Sequence, residues 1–339
     1  MKEENVFERK GGLALKYEKL GSTGLDVSKI CLGAMSFGDP EIWMHDWLLN
    51  EEESRKIIKK ALDVGINFFD TANIYSLGVS EEFLGRAIKD FANREEVVIA
   101  TKVNGRMHEG PNGAGLSRKH ILHQVEESLK RLDMDYVDIL YIHRWDYDTP
   151  IEETMAALND LVRAGKVHYL GASNLFAWQL QKAQHIAEKN GWAKFSVMQG
   201  HYNLVYREEE REMNPYCKEE GIALVPYSPL AAGRLAREWS GDTHRSKTDA
   251  SAKRKYDSTE ETDRKIIEQV GKVAEKHGPT RAQIAVAWLW EKGVVAPIVG
   301  VTKEKYLDDF VGAFNIQLDE EDMEALEKHY IPHQLMGPR

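Results

Sequence analysis

Four polar side chains stand at or just after the ends of three consecutive apolar runs of this sequence. The four are Asp70, which closes INFFD, Tyr75, five residues later, Lys102, which closes VVIATK, and His143, which closes VDILYIH. If the runs are neighbouring parallel strands, their carboxyl ends lie about 4.8 Å apart and the four side chains converge. Each alone is typical of a turn, a solvated charge or a packed core residue, so the joint arrangement is what indicates a site.

This combination of groups suits the reduction of a carbonyl. Hydride delivery to the carbonyl carbon creates an alkoxide that needs a proton, and a phenol can supply it when its pKa, normally about 10, is brought closer to neutral. The ammonium of Lys102 is expected to lower the pKa of Tyr75, while Asp70 holds the ammonium in place. His143 is expected to hydrogen-bond the carbonyl oxygen and stabilise the developing charge.

The strands that must position these residues are eight short apolar or β-branched runs, separated by helical segments. They are ICLGAM, INFFDTA, VVIATKV, VDILYIH, VHYLGAS, FSVMQG, IALVPYS and APIVGV. Apolar residues at i, i+3, i+4 and i+7 predict helices over 52–65, 80–92, 117–132 and 150–166. Ser117 as an N-cap, Pro150 before two glutamates, and Gly65 and Gly165 as C-terminal glycines mark helix ends.

This alternation predicts an α/β protein with a (β/α)₈ barrel, since eight parallel strands are the number that closes around a packed interior. A doubly wound open sheet is the alternative, but the first strand is not followed by G-x-G-x-x-G, and GPNGAG at 110–115 is typical of a plain loop. The opening KYEKLGSTGLDVS predicts a β-hairpin with its turn at Gly21–Gly24, lying across the barrel bottom. We expect a solvated extension over 1–16 and a single barrel domain over 17–339.

Composition limits the classes of partner. The net charge of -10 and the pI near 5.7 argue against general binding to nucleic acid or to an anionic membrane. No stretch approaches the roughly 18 consecutive apolar residues of a membrane span, and the two distant cysteines, Cys31 and Cys217, form no disulfide framework. We therefore expect a cytoplasmic protein that acts on a small molecule; nothing in the sequence indicates its oligomeric state.

Metal-dependent hydrolysis is a weak alternative. ICLGAMSF offers no ligand residue except Cys31 after the first strand, where a barrel hydrolase would carry a cluster such as His-x-His. His120 and His123 share one face of a helix, but we expect that face to be solvated.

A polar segment of unusual length, residues 231–260, follows the seventh strand and predicts a lid or disorder. It contains seven cations that could meet an anionic ligand: Arg234, Arg237, Arg245, Lys247, Lys253, Arg254 and Lys255. Of these, Arg234 is the best candidate.

From about Tyr17 to its C-terminus, the sequence resembles the aldo-keto reductase superfamily. The resemblance rests on GINFFDTANIYSLGVSEEFLGRAI, on DILYIHRWDYDTPIEETMAALNDLVRAGKVHYLGASN and on VPYSPLAAGRL. The stretches IHRWDYDTPIEET, HYNLVYREEEREM and APIVGVTKEKYLDD are especially similar to the YajO-like bacterial branch. The resemblance implies a (β/α)₈ barrel that reduces aldehydes or ketones with NADPH, and it places Asp70, Tyr75, Lys102 and His143 on the catalytic tetrad.

The same resemblance implies how the cofactor is bound. Ser173, Asn174 and Gln199 would hydrogen-bond the nicotinamide carboxamide, and Tyr227 would stack on its ring. Ser228, Leu230 and Arg234 would lie along the pyrophosphate. In the last segment, Gly300, Thr302 and Lys303 would hold the 2'-phosphate at a helix N-terminus, and Asp309 would meet the adenine. Tyr306 and Phe310 depart from residues that many relatives carry there, Arg or Gln and Asn, respectively.

The sequence determines the substrate less closely than it determines the catalytic residues or the cofactor. Met35, Trp43, Met44, Trp47 and Trp145 are candidates for an apolar wall over the carbonyl, although packing beneath the loops would use the same residue types. His108 and Arg144 add polar groups, and Arg144 would favour an anionic or phosphorylated substrate. Two further functions stay open: formation of 1-deoxyxylulose 5-phosphate from a pentulose phosphate, implied by the YajO-like resemblance, and a role as a cofactor-binding regulatory subunit.

Overall fold

The computed structural model describes residues 6–7, 15–43, 47–238 and 249–336. The strands are β1 (Val6–Phe7), β2 (Leu15–Lys19), β3 (Asp26–Ser28), β4 (Cys31–Gly33), β5 (Phe68–Asp70), β6 (Val98–Val103), β7 (Val137–Ile142), β8 (Val167–Ser173), β9 (Phe195–Gln199), β10 (Ala223–Leu224) and β11 (Ile298–Val299). The helices are α1 (Glu51–Asp63), α2 (Val79–Phe91), α3 (Arg118–Leu132), α4 (Ile151–Arg163), α5 (Ala177–Asn190), α6 (Met213–Glu219), α7 (Ala250–Tyr256), α8 (Glu260–His277), α9 (Arg281–Glu291), α10 (Lys305–Gly312) and α11 (Glu320–Glu327).

Strands β4 to β11 form one parallel sheet in the order β10-β9-β8-β7-β6-β5-β4-β11. The two edges meet, because Tyr227, just after β10, bridges Ile298 of β11, and the Ile298 N–H donates to the carbonyl of Pro226 at 2.9 Å. Each of the eight predicted runs contains one of these strands. The closed sheet with helices between its strands confirms the predicted (β/α)₈ barrel.

The predicted N-terminal hairpin is confirmed as the pair β2 and β3, in which Tyr17 lies opposite Ser28. Its Leu20 and Val27 side chains are fully buried and belong to the apolar cluster inside the barrel. The turn contacts the chain just before β10 at the barrel bottom, where the Ser22 N–H donates to the Gly221 carbonyl at 2.8 Å. The hairpin therefore closes the end of the barrel opposite to the mouth.

Within the predicted N-terminal extension, β1 pairs with β2 in antiparallel register, so that Val6 lies opposite Lys16. The division of the chain into an extension and a barrel domain stays a prediction.

The structure confirms the helix ends that the sequence predicted. Ser117 caps α3 by accepting the His120 N–H, and Pro150 stands at the N-cap of α4. Gly65 and Gly165 follow the last residues of α1 and α4 with positive φ angles of 97° and 73°. A left-handed residue at this point ends a helix with little strain only when it is glycine.

In the 231–260 segment, Ala231–Ala236 form a 3₁₀ turn and α7 follows; residues 239–248, with Arg245 and Lys247, lie outside the described residues, and a role of the segment as a lid stays a prediction. One expectation about a surface helix was wrong. His120 is buried rather than solvated, since its Nδ1 lies 3.0 Å from the Asn112 carbonyl and ties α3 to the preceding loop. Among the described helices, none is long and apolar enough to cross a membrane.

Candidate active site at the barrel mouth

A buried ion pair stands at the carboxyl ends of β5 and β6. The Lys102 Nζ lies 2.5 Å from the Asp70 Oδ1 and also donates to the Thr71 carbonyl at 2.8 Å. The lysine side chain is 0% exposed. Burial lowers the pKa of Lys102, but Asp70 and Tyr75 raise it, and the net pKa lies above its usual value. Lys102 is therefore an ammonium at neutral pH, as the sequence predicted.

The other oxygen of Asp70 is bound from across the barrel. The Gln199 Nε2, at the end of β9, donates to the Asp70 Oδ2 at 2.9 Å. Burial raises the pKa of Asp70, while the ammonium of Lys102 and the amide of Gln199 oppose that change by favouring the carboxylate. The carboxylate thus has a hydrogen-bond partner on each oxygen.

Tyr75 opens a 3₁₀ turn just after β5, and its hydroxyl lies 3.2 Å from the Lys102 Nζ. Burial raises the pKa of Tyr75 above its usual value; Lys102 lowers it and Asp70 raises it further. The expected fall toward neutral is therefore wrong in direction for this structure, because burial outweighs the ammonium. The phenol keeps its proton at neutral pH, which is the form that a proton donor needs.

His143 follows β7 and meets Tyr75 edge to face, with 5.8 Å between the ring centroids. Burial lowers the pKa of His143 well below its usual value, and the cations Lys102 and Arg144 add to this effect. The imidazole is therefore neutral, and a neutral imidazole still has one N–H to donate. The structure thus brings together all four predicted catalytic residues.

A second buried ion pair, which the sequence analysis missed, lies behind Lys102. The Thr101 hydroxyl donates to Glu81 of α2 at 2.6 Å, and Arg131 of α3 donates to the other oxygen of Glu81 at 2.6 Å. Glu81 is 0% exposed. These bonds tie β6 to the two helices that flank it, and they fix the strand end that carries Lys102. The apolar run that predicts β6, all of whose residues are buried, offers no sign of these bonds.

Three of the residues assigned to the nicotinamide stand on neighbouring strand ends. Ser173 and Asn174 close β8, and Gln199 closes β9 beside them. The Asn174 amide donates to the His143 carbonyl and to the Ser173 hydroxyl, both at 3.0 Å. These amide and hydroxyl groups have the donor and acceptor character that a carboxamide requires.

Tyr227 lies against this group, and its hydroxyl donates to the Asn174 Oδ1 at 2.8 Å. Its ring is parallel to the imidazole of His201, at 5.3 Å between centroids, and the Lys255 Nζ lies over it at 4.8 Å. Neither contact was predicted, since His201 and Lys255 come from strand ends and helices far from Tyr227 in the sequence.

The expected pyrophosphate residues form a sharply turned loop after β10. Ser228, Ala231 and Ala232 all have left-handed φ angles between 48° and 57°, and Leu230 lies between them. Left-handed turns of this kind are common in anion-binding loops; here the Ala231 and Gly233 N–H groups donate to the Ser228 and Leu230 carbonyls of the same loop, at 3.0 and 2.8 Å. Arg234, at the end of the loop, pairs with Asp257 at 2.6 Å and stacks near Tyr256.

The residues assigned to the adenosine phosphate follow β11. Gly300, Thr302 and Lys303 are exposed and precede α10, and the Tyr306 N–H of its first turn donates to the Lys303 carbonyl at 3.1 Å. Asp309 lies within α10 and is half-buried, and burial raises its pKa. Gly300 has open space around it, because a Cβ added there would meet nothing within 4 Å.

The substrate candidates line the rim of the mouth. Met35 is exposed and Trp43 is half-buried, while Met44 lies outside the described residues. Arg144 is exposed. Trp145 packs on the core and faces Trp178 of α5 at 6.0 Å between ring centroids. Trp178, which is 53% exposed, was not predicted, because a single tryptophan near a helix start carries no distinctive sequence signal.

No cluster of three or more potential metal ligands occurs in the described part of the chain. Cys31 and Cys217 are both buried free thiols.

Comparison with known proteins places the whole barrel in one family. A family model described as the aldo/keto reductase family matches residues 29–331. Similar proteins include versiconal hemiacetal acetate reductase of Aspergillus parasiticus, 45% identical over 94% of this chain and 98% of that protein. They also include a putative aryl-alcohol dehydrogenase of Schizosaccharomyces pombe (44% identical, 95% and 97% covered) and an aldo-keto reductase of Alternaria alternata (42%, 93% and 91%). These relatives are fungal, so they do not support the predicted placement in a bacterial branch.

Proposed function

This chain belongs to the aldo/keto reductase family, and from that premise we propose that it reduces aldehydes or ketones to alcohols with NADPH, with Tyr75 as the proton donor. The observation that carries the proposal is the ammonium of Lys102, fully buried, held by Asp70 and 3.2 Å from the Tyr75 hydroxyl. The names of two relatives, a hemiacetal acetate reductase and an aryl-alcohol dehydrogenase, agree with interconversion of carbonyl and alcohol.

Each residue of the site has a separate role in this reaction. NADPH, when bound, supplies the hydride that reaches the carbonyl carbon. His143, as a neutral imidazole, donates a hydrogen bond to the carbonyl oxygen and orients it. Tyr75 gives its proton to the oxygen as negative charge develops there, and the adjacent ammonium of Lys102 stabilises the tyrosinate that remains. Asp70 keeps the ammonium in position, and Gln199 keeps Asp70 in position.

The groups around the mouth fit the parts of NADPH. Ser173, Asn174 and Gln199 offer amide and hydroxyl partners for the carboxamide. The left-handed loop at 228–233 and Arg234 suit the pyrophosphate, and the turn at Thr302 and Lys303 suits the 2'-phosphate. A cation at Lys303 is the feature that favours NADPH over NADH.

A turnover assay with wild type and the Tyr75→Phe variant tests this function. Purified protein is titrated with NADPH and with NADH by nucleotide fluorescence, and a panel of aldehydes is then added while the reduced-nicotinamide absorbance is followed. We expect aldehyde-dependent oxidation by the wild type. Tyr75→Phe should bind NADPH normally and lose at least about a hundredfold in kcat, the lower range for a general acid.

Tyr136→Phe is the matched control, because Tyr136 precedes β7 at the opposite end of the barrel and stacks on His168. It should keep wild-type turnover. Near-wild-type turnover by Tyr75→Phe would refute the proton-donor role, and failure of either nucleotide to bind would refute the cofactor assignment.

A further inference from the structure

Two cations at the barrel mouth form no ion pair with a carboxylate of the described residues. Lys255 of α7 extends over the Tyr227 ring, with its Nζ 4.8 Å from the ring centroid. Arg144 follows His143 directly and is exposed. Within the ranges that the structure describes, no carboxylate forms an ion pair with either side chain. Arg234, by contrast, pairs with Asp257 at 2.6 Å.

The two cations influence one another and the groups around them. The pKa of Lys255 is lowered to about 8, because burial, together with the cations Arg254 and Arg144, outweighs the opposing effect of Asp249. Arg144 also lowers the pKa of Tyr227 and of His143. A half-buried ammonium that repels a neighbouring guanidinium is unfavourable until an anion binds between them or beside them.

The two cations reach the mouth from different sides. Arg144 follows β7, three strands away from β10 in the barrel order, whereas Lys255 belongs to the segment after β10 that also carries Arg234, and its Nζ lies over Tyr227. Arg144 is adjacent to His143 in the chain and stands on the same strand end as the proposed carbonyl site. Trp145 and Trp178 form an aromatic surface next to it.

We propose that Arg144 and Lys255 form an anion subsite beside the carbonyl position, so that the protein prefers aldehydes or ketones that carry a carboxylate or phosphate group. This proposal rests on the proposed reductase function and adds a substrate class to it. The cations would bind the acidic group while the tryptophan surface contacts the body of the substrate. Selectivity would then come from a charge pair rather than from the shape of the pocket.

The test compares substrates that differ only in charge. The values of kcat/KM are measured for 4-formylbenzoate, for its neutral methyl ester and for 4-formylphenyl phosphate. We expect the wild type to prefer each anion over the ester by about tenfold, as for a charge-assisted hydrogen bond. Lys255→Met and Arg144→Met should each remove most of this preference and leave kcat/KM for the ester within about twofold of wild type. The ratio of the two anions tells whether carboxylate or phosphate is the preferred source of charge.

Lys253→Met is the control, since it removes the same charge from an exposed position of the same helix. It should leave the preference unchanged. Thermal unfolding and the NADPH dissociation constant are measured for every variant. An equal loss for anions and ester, or a loss explained by weaker NADPH binding, would overturn the subsite.

The pH profile adds a readout that a purely structural lysine would not move. The preference for the carboxylate should fall above about pH 8 in the wild type, as Lys255 loses its proton, and should not change there in Lys255→Met. A wild-type preference that is flat through this range contradicts the assignment of Lys255.

Binding of the alcohol products to the protein with reduced cofactor keeps the proposal independent of turnover, because an alcohol and NADPH cannot react with each other. Dissociation constants are measured by calorimetry for 4-(hydroxymethyl)benzoate and for the corresponding amide in the presence of NADPH. Tighter binding of the benzoate, lost in both variants, supports the subsite even if no aldehyde in the panel is reduced, in which case the reductase proposal alone fails. Equal binding of the two analogues refutes the subsite, and turnover of the neutral ester then shows that the reductase function stands without it.

Discussion

Replacing Lys102 with methionine should destabilise the fold in a way that depends on pH. Methionine retains much of the volume of the lysine stem but removes the charge that faces Asp70. Since the lysine is 0% and the aspartate 4% exposed, the variant leaves a buried carboxylate whose remaining side-chain partner is Gln199. Breaking a buried pair in this way costs about 3–5 kcal/mol in the free energy of unfolding.

The sign of the pH dependence follows from the pKa of Asp70. Burial already raises that pKa, and Lys102 opposes the rise, so the variant has a still higher folded-state pKa. An acid whose folded pKa exceeds its unfolded value, about 3.9, loses stability as pH rises between the two. The deficit of Lys102→Met relative to wild type should therefore be small near pH 4.5 and largest at neutral pH.

The assay is urea unfolding followed by tryptophan fluorescence at pH 4.5 and 7.5. The double variant Asp70→Asn, Lys102→Met should recover most of the loss, since it removes the stranded charge. Lys89→Met, which breaks an exposed pair with Asp133, should leave the free energy of unfolding almost unchanged. The contrary result is a free energy of unfolding of Lys102→Met that falls by the same amount at both pH values and is not restored by Asp70→Asn. That result would refute the conclusion that the variant leaves an unpaired buried charge on Asp70.

Two further predictions concern other charged groups. Lys303→Ala should raise the dissociation constant of NADPH about tenfold and leave that of NADH within about twofold, because only NADPH carries the 2'-phosphate; equal losses by nucleotide fluorescence would remove Lys303 from the phosphate site. Burial and Glu208 raise the pKa of Glu209 to about 7, so its ionisation costs the wild type up to about 3 kcal/mol of stability as pH rises from 4.5 to 8. Glu209→Gln should flatten that part of the stability profile, and a slope identical to wild type in urea unfolding would contradict the prediction.

The residues that could be predicted from the sequence are those placed by strand periodicity. Asp70, Lys102 and His143 each stand where an apolar run ends, and parallel pairing alone brings such ends together. The pKa of Tyr75 could not be predicted in the same way, because burial by the surrounding loops, rather than the neighbouring lysine, determines its direction.

Contacts made by distant segments were also beyond the sequence. Lys255 was noted among seven cations of its segment, yet only the fold shows that it covers the ring of Tyr227. The apolar spacing of residues 80–92 predicts the helix that carries Glu81. Nothing in that pattern indicates that Glu81 is bonded to Thr101 and Arg131. Local pattern determines which face of an element is buried, whereas the identity of the partner depends on how the elements pack.

The hydrogen bond from Gln199 to Asp70 joins β9 and β5, which are separated by 129 residues and by three intervening strands of the sheet. A contact of such long sequence separation forms only after most of the chain has been brought together, and that loop-closure entropy makes it slow. During refolding, helical circular dichroism should return before this bond does. The rate at which turnover recovers would then measure how fast β9 takes its native position in the sheet. Activity would thus follow the last stages of barrel assembly.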